Sequence, residues 1–228
     1  MVNDDVLAAI RSALQSAADP LRGAGAQAYM KSSMPSLGVR VPEVRRTVKA
    51  AAAAHPFASA DELRATVLSL WRGAAYREER YAAIDLTGLR LVAADLGMLP
   101  VYAEIIRSGA SWDLVDGVAH RLCALLQAHR QEVTPVLLGW AEDEDFWFRR
   151  ASITAQLAAK AHTDTVLLAR VIEANLADRE FFIRKAIGWA LREYAKTDPG
   201  WVVGFVERHG QSLSPLSRRE ALKNLPLR

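Results

Sequence analysis

A tryptophan, a carboxylate and an imidazole stand at helical spacing in the middle of the chain. Trp112, Asp116 and His120 fall at i, i+4 and i+8, which places them on one face of a helix that Ser111 is positioned to cap. Such a row is an odd choice for a core-facing stripe, so its residue types raise the question of chemistry. Metal-dependent hydrolysis usually needs several carboxylates around the ion, and only Asp113 lies near Asp116 in sequence. A thiol nucleophile has less support, because Cys123 sits among Leu122, Ala124 and Leu125 as a core residue would. Cleavage of a glycosidic bond suits the row better. Its transition state is oxocarbenium-like, so a nearby carboxylate stabilises the growing positive charge and can orient water. An aromatic ring adds the negative face of its quadrupole.

The elements that must position this row are helices, and they repeat. Segments 76–80, 146–150 and 181–185 each open on an aromatic residue and carry a basic residue four positions later. The same frame, without the aromatic, fits Val44-Arg45-Arg46 and Ser217-Arg218-Arg219. Trp112 and Asp116 occupy the aromatic and basic places of the central copy. The frame positions are 46, 80, 116, 150, 185 and 219, spaced by 34, 36, 34, 35 and 34 residues. A steady period of that length, with one helix pair in each, predicts an all-α solenoid of about six repeats. Five of the six positions are Arg or Lys. A single cation of this kind more often pairs with a neighbouring repeat, but a row of Arg46, Arg80, Arg150, Lys185 and Arg219 suggests a track for a phosphate backbone. Asp116 is the acidic exception, and a lone carboxylate in such a track is a candidate for chemistry. Arg150, one period on, could fix a phosphate beside the sugar. Trp189, four residues after Lys185, should share its face.

The helices are expected over 6–17, 26–32, 42–54, 61–71, 76–89, 93–107, 112–127, 132–140, 145–159, 164–174, 178–196, 199–209 and 215–224. Pro42, Pro199 and Pro215 open theirs, with Ser214 and Asp178 as caps. No linker divides the 228 residues, so a single domain over 1–228 is expected. Net charge is only +3, yet residues 1–60 carry +3, residues 61–145 carry −6 and residues 146–228 carry +6. Basic flanks suit a polyanionic partner. The single cysteine, Cys123, leaves no internal disulfide or cysteine-clustered metal site and fits a reducing compartment. The first residues lack the pattern of a signal peptide, and no apolar run is long enough to span a membrane.

In its motifs the chain resembles the DNA alkylation repair family, the HEAT-like-repeat DNA glycosylases of the AlkD type. The resemblance rests on Ala28-Tyr29-Met30-Lys31, Leu37-Gly38-Val39 with Pro42-Glu43, Ser111 to Asp116, Arg150-Ala151, the run from Phe181 through Gly188-Trp189 to Lys196, and Leu216 to Ala221. It spans nearly the whole chain. It implies a right-handed α-solenoid whose concave basic face cradles duplex DNA, acting as a monomer without cofactor or metal. It also implies monofunctional hydrolysis of the N-glycosidic bond of purines made cationic by N3 or N7 alkylation. Matched residue by residue, the catalytic aspartate falls on Asp116, the sugar-contacting tryptophans on Trp112 and Trp189, and the phosphate-positioning arginine on Arg150. The tyrosine near the lesion falls on Tyr29. Arg45 and Arg192 match backbone contacts, beside Arg46, Lys185, Arg218 and Arg219. A cytoplasmic, nucleoid-associated bacterial protein is the corresponding expectation. Relatives often carry two adjacent tryptophans where this chain has Ser111-Trp112, and His120 and Arg40-Val41 are further departures. No lysine lies in the Trp112–Asp116 row to act as a lyase nucleophile. A binding protein of the same fold for damaged or branched DNA, and a protein-interaction solenoid using Glu142 to Asp145, are the alternatives.

Overall fold

Apolar residues recur at helical spacing almost from end to end, and the structure, a computed structural model, is all-α. It describes residues 1–225, and among them there is no strand and no helix long and apolar enough to cross a membrane. The helices are α1 (Asp4–Ser16), α2 (Pro20–Met30), α3 (Val41–Ala54), α4 (Ala60–Arg72), α5 (Arg77–Leu86), α6 (Leu99–Gly109), α7 (Trp112–Gly117), α8 (Ala119–Ala128), α9 (Arg130–Ala141), α10 (Phe146–Thr154), α11 (Thr165–Glu173), α12 (Phe181–Tyr194), α13 (Pro199–Arg208) and α14 (Pro215–Leu222). The described residues pack as two compact units, 1–101 and those from 102 onward.

In the second unit, helices α7, α10, α12 and α14 touch in that order, while α9 and α11 pack against α10 and α13 packs against α12 and α14. The frame residues Asp116, Arg150, Lys185 and Arg219 fall one on each helix of the first series. The 35-residue period is therefore the step from one packed helix to the next, as in an α-solenoid. In the first unit, Arg46 on α3 and Arg80 on α5 likewise lie on helices that pack together.

Several expected boundaries move for local reasons. The helix expected over 26–32 begins at Pro20, where the Asp19 carboxylate accepts from the Arg22 amide (3.0 Å), and it ends at Lys31 in the left-handed region. The stretch 93–107 is helical only from Leu99, with Pro100 in the first turn, after two short 3₁₀ segments. Helix α10 stops at Thr154 rather than 159. There the hydroxyls of Ser152 and Thr154 turn back onto the carbonyls of Arg149 and Arg150, and the following amides form i−3 bonds. Ser214 caps α14 as expected, but Asp178 does not cap α12: Glu180 does, accepting from the Phe182 amide.

The central helix is broken. Gly117 ends α7, the Val118 amide bonds back to Val115, and α8 starts afresh at Ala119. Glycine is a weak helix former, and the i−3 bond tightens the chain at this point. His120 thus belongs to α8 and is exposed. Ser111 occupies the cap position, but its hydroxyl donates to Asp113 (2.6 Å) rather than capping an amide.

Candidate active site

Leu114 and Val115 are fully buried and anchor the short helix α7. They leave Trp112 and Asp116, one turn apart, on another face. Trp112 keeps 39% of its surface exposed, the Asp116 side chain only 14%. What holds Asp116 comes from the next repeat. Arg150 donates from Nε to Oδ1 (2.8 Å) and from Nη2 to Oδ2 (2.7 Å), a two-point fork matched to the carboxylate. Its Nη1 donates to the Phe182 carbonyl at the start of α12 (2.6 Å). Three helices thus meet at one guanidinium.

Aromatic packing sets that geometry. Phe146 lies parallel to Phe182 at 6.4 Å, and Trp147 packs on Phe182 at 5.1 Å, so the openings of α10 and α12 are fixed against each other. The adjacent arginine, Arg149, turns elsewhere. It binds Asp178 at 3.0 Å and the carbonyls of Asp143 and Glu144, tying the loops that precede α10 and α12.

Electrostatically Asp116 is an expensive residue. Burial pushes its carboxyl above the usual range; the hydrogen bonds and charge of Arg150 pull it down without cancelling that effect, and Asp113 pushes it further up. Arg150 commits three of its five N–H donors to protein atoms and is itself buried. It is a holder of Asp116 before it can be a phosphate contact.

The five cations of the frame differ in their surroundings. Besides Arg150, Arg80 lies over the Trp71 ring at 4.7 Å, and Lys185 is ion-paired with Glu220 at 3.3 Å. Arg192 binds the other oxygen of the same carboxylate. Arg46, Arg218 and Arg219 are exposed, and Arg45 is largely exposed with Asp85 at 3.5 Å. Tyr29 projects from α2 with 78% of its surface open. Trp189 is half-buried on α12, two turns after Phe182 and one after Lys185, so the three share a stripe. Of the other tryptophans, Trp71 and Trp147 are buried, and Trp140 and Trp201 lie against Phe148 and Phe205.

Two carboxylates escaped the sequence reading. Glu220 is one; its signal was its position one residue after a frame residue, facing two cations spaced i and i+7. Glu78 is the other. Fully buried, it accepts from the Ser36 hydroxyl (2.6 Å) and the amides of Leu37 (2.9 Å) and Gly38 (2.8 Å), fixing the turn that follows α2. Gly38 takes a positive φ of 80° there, which only glycine adopts without strain.

The class so defined is an all-α helical-repeat protein with a buried acid held by an arginine of the next repeat, beside a partly exposed tryptophan. The chain belongs to the DNA alkylation repair enzyme family, whose model matches residues 10–225. It is similar to the structure of a predicted DNA alkylation repair enzyme from Enterococcus faecalis, with 30% identity and a TM-score of 0.78 over 92% of this chain and 98% of that one. A second solved structure is the Pseudomonas fluorescens alkylpurine DNA glycosylase AlkC bound to DNA containing an abasic site analog. It shares 18% identity and a TM-score of 0.53, over 98% of this chain and 63% of its own, and that likeness concerns the fold. No curated protein matches the chain.

Proposed function

We propose that the protein is a monofunctional DNA glycosylase that hydrolyses the N-glycosidic bond of cationic N3- or N7-alkylated purines in duplex DNA. The observation that carries this reading is the Asp116 carboxylate, fixed at two points by Arg150 and flanked one turn away by a half-exposed Trp112. Family membership and the DNA-bound AlkC relative support it.

Alkylation already makes the purine a good leaving group, so no strong general acid is needed. The C1′–N bond breaks with its electron pair going to the purine, which leaves neutral. The sugar becomes oxocarbenium-like, and an ionised Asp116 stabilises it from a site of restricted water access. Water then bonds to C1′ and passes its proton to Asp116 and on to solvent. Trp112 and Trp189 present ring faces to the cationic sugar. Arg150 keeps the carboxylate aimed. Lys185, the lysine most available by repeat geometry, is ion-paired with Glu220 in the free protein. Tyr29, Arg45, Arg46, Arg218 and Arg219 are assigned to the DNA.

The test is release of free 7-methylguanine or 3-methyladenine from methylated duplex DNA. Asp116→Asn should keep duplex binding and lose about a hundredfold or more of the release rate. Equal release by wild type and variant would sink the mechanism.

A further inference from the structure

Helix α12 carries Lys185, Gly188 and Arg192 at i, i+3 and i+7, along one stripe. Helix α14 lies against that stripe so closely that a Cβ on Gly188 would come within 2.5 Å of the Glu220 Cβ and 3.0 Å of the Ser217 carbonyl oxygen. The Ser217 hydroxyl also donates to the Arg184 carbonyl (2.9 Å). The missing side chain at Gly188 is what seats Glu220 midway between two cations. One oxygen meets Lys185 at 3.3 Å and the other binds Arg192. The Lys185 side chain remains 41% exposed, so an anion can reach it from outside, while Glu220 is mostly covered. A carboxylate receiving two cations through two oxygens has the charge and acceptor pattern of a backbone phosphate.

We propose that Glu220 is an internal phosphate surrogate, holding Lys185 and Arg192 in the free protein and yielding them to a phosphate of the DNA backbone. This rests on the DNA-binding reading of the protein. Glu220 thereby sets how strongly the protein holds undamaged duplex: the two cations bind DNA only to the extent that a phosphate outcompetes a tethered carboxylate. A repair protein that scans undamaged duplex gains from such a brake, because phosphate contacts dominate binding and carry no information about damage.

The experiment measures affinity for an unmodified duplex as a function of salt for wild type, Glu220→Gln and Glu193→Gln. Glu193 pairs with exposed Lys196 at 2.6 Å and controls for the loss of one negative charge beside a lysine. Glu220→Gln should bind roughly three- to tenfold tighter near 0.1 M salt, with a log–log salt slope steeper by about 1 to 2. Glu193→Gln should change both less. Adding Lys185→Ala with Arg192→Ala should abolish the gain. Thermal melting checks that each variant is folded, and Glu220→Asp serves in place of the glutamine variant should that one unfold, with a weaker grip expected from the shorter side chain. The surrogate role is overturned if Glu220→Gln gains no more than Glu193→Gln, or if its gain survives removal of both cations. If wild type itself shows no salt-dependent binding to duplex, the DNA-binding reading fails first, and that outcome is distinct from the other two.

Discussion

Asp116 and Glu220 expose similar fractions of their side chains, 14% and 15%, though Asp116 lies the deeper of the two, and each is gripped at two oxygens by cations of a neighbouring repeat. Their acidities nonetheless move in opposite directions. Burial raises the Asp116 carboxyl and one arginine fails to offset it, with Asp113 adding to the rise. Burial also acts upward on Glu220, but Arg192 and Lys185 outweigh it, and that carboxyl lies below its usual range. Asp116 is therefore under-compensated and Glu220 over-compensated. An under-compensated carboxylate has attraction left for a new positive charge, which is what a departing purine creates on its sugar. An over-compensated one leaves its cations short of negative charge, which a phosphate can supply.

The sharpest way to break this contrast is Asp116→Asn, for which base release should fall about a hundredfold or more while duplex binding survives; loss of both together would make Asp116 a binding residue. Comparable in size, but on stability, is Arg150→Ala. It leaves Asp116 buried without its partner, and urea unfolding should show a loss of about 3–5 kcal/mol. Asp116→Asn keeps an acceptor for the Arg150 fork and should cost clearly less. Trp112→Ala and Trp189→Ala should each slow release by roughly fivefold with little change in duplex affinity, in line with an interaction of about 1 kcal/mol between a ring and a cationic sugar. Single-turnover kinetics would separate the two effects.

The pH dependence distinguishes the two carboxylates further. Catalysis needs Asp116 ionised, so release should fall as pH drops through a value above the ordinary carboxylate range. Stability runs the other way at this residue. A carboxyl whose native pKa lies above its unfolded value stabilises the fold fully below the unfolded value, and that contribution is lost as pH rises through the native one. Between those two values, wild type should lose stability with rising pH relative to Asp116→Asn. The smallest expected effect is on the stability of Glu220→Gln, under about 1 kcal/mol by melting, because Lys185 is half-exposed and screened.

Much of the fold was legible in the sequence because helical repeats write themselves as periods. The interval of about 35 residues between frame positions is the step between the packed helices α7, α10, α12 and α14. The Trp112–Asp116 spacing is one helical turn, and both residues could be singled out from type and register alone. The break after Gly117 was not legible, since the 3.6-residue periodicity runs on through Val118, and only the backbone hydrogen bonds place His120 on a separate helix from Trp112 and Asp116. The start of α2 was legible in Asp19-Pro20 and was overlooked.

The sequence by itself determined the all-helical repeat, the family, and Asp116 as the acidic exception in a basic register, because helix propensity, period and residue type are local properties. Only the tertiary structure decided which cations face solvent. Arg150 turns inward to Asp116 and the Phe182 carbonyl, Lys185 and Arg192 share Glu220, and Arg219 stays exposed. A repeat period specifies which helix a side chain stands on. Its depth, its partners and the acidity of the groups it meets depend on how closely the next helix approaches, and for Asp116 the next helix brings the Arg150 fork.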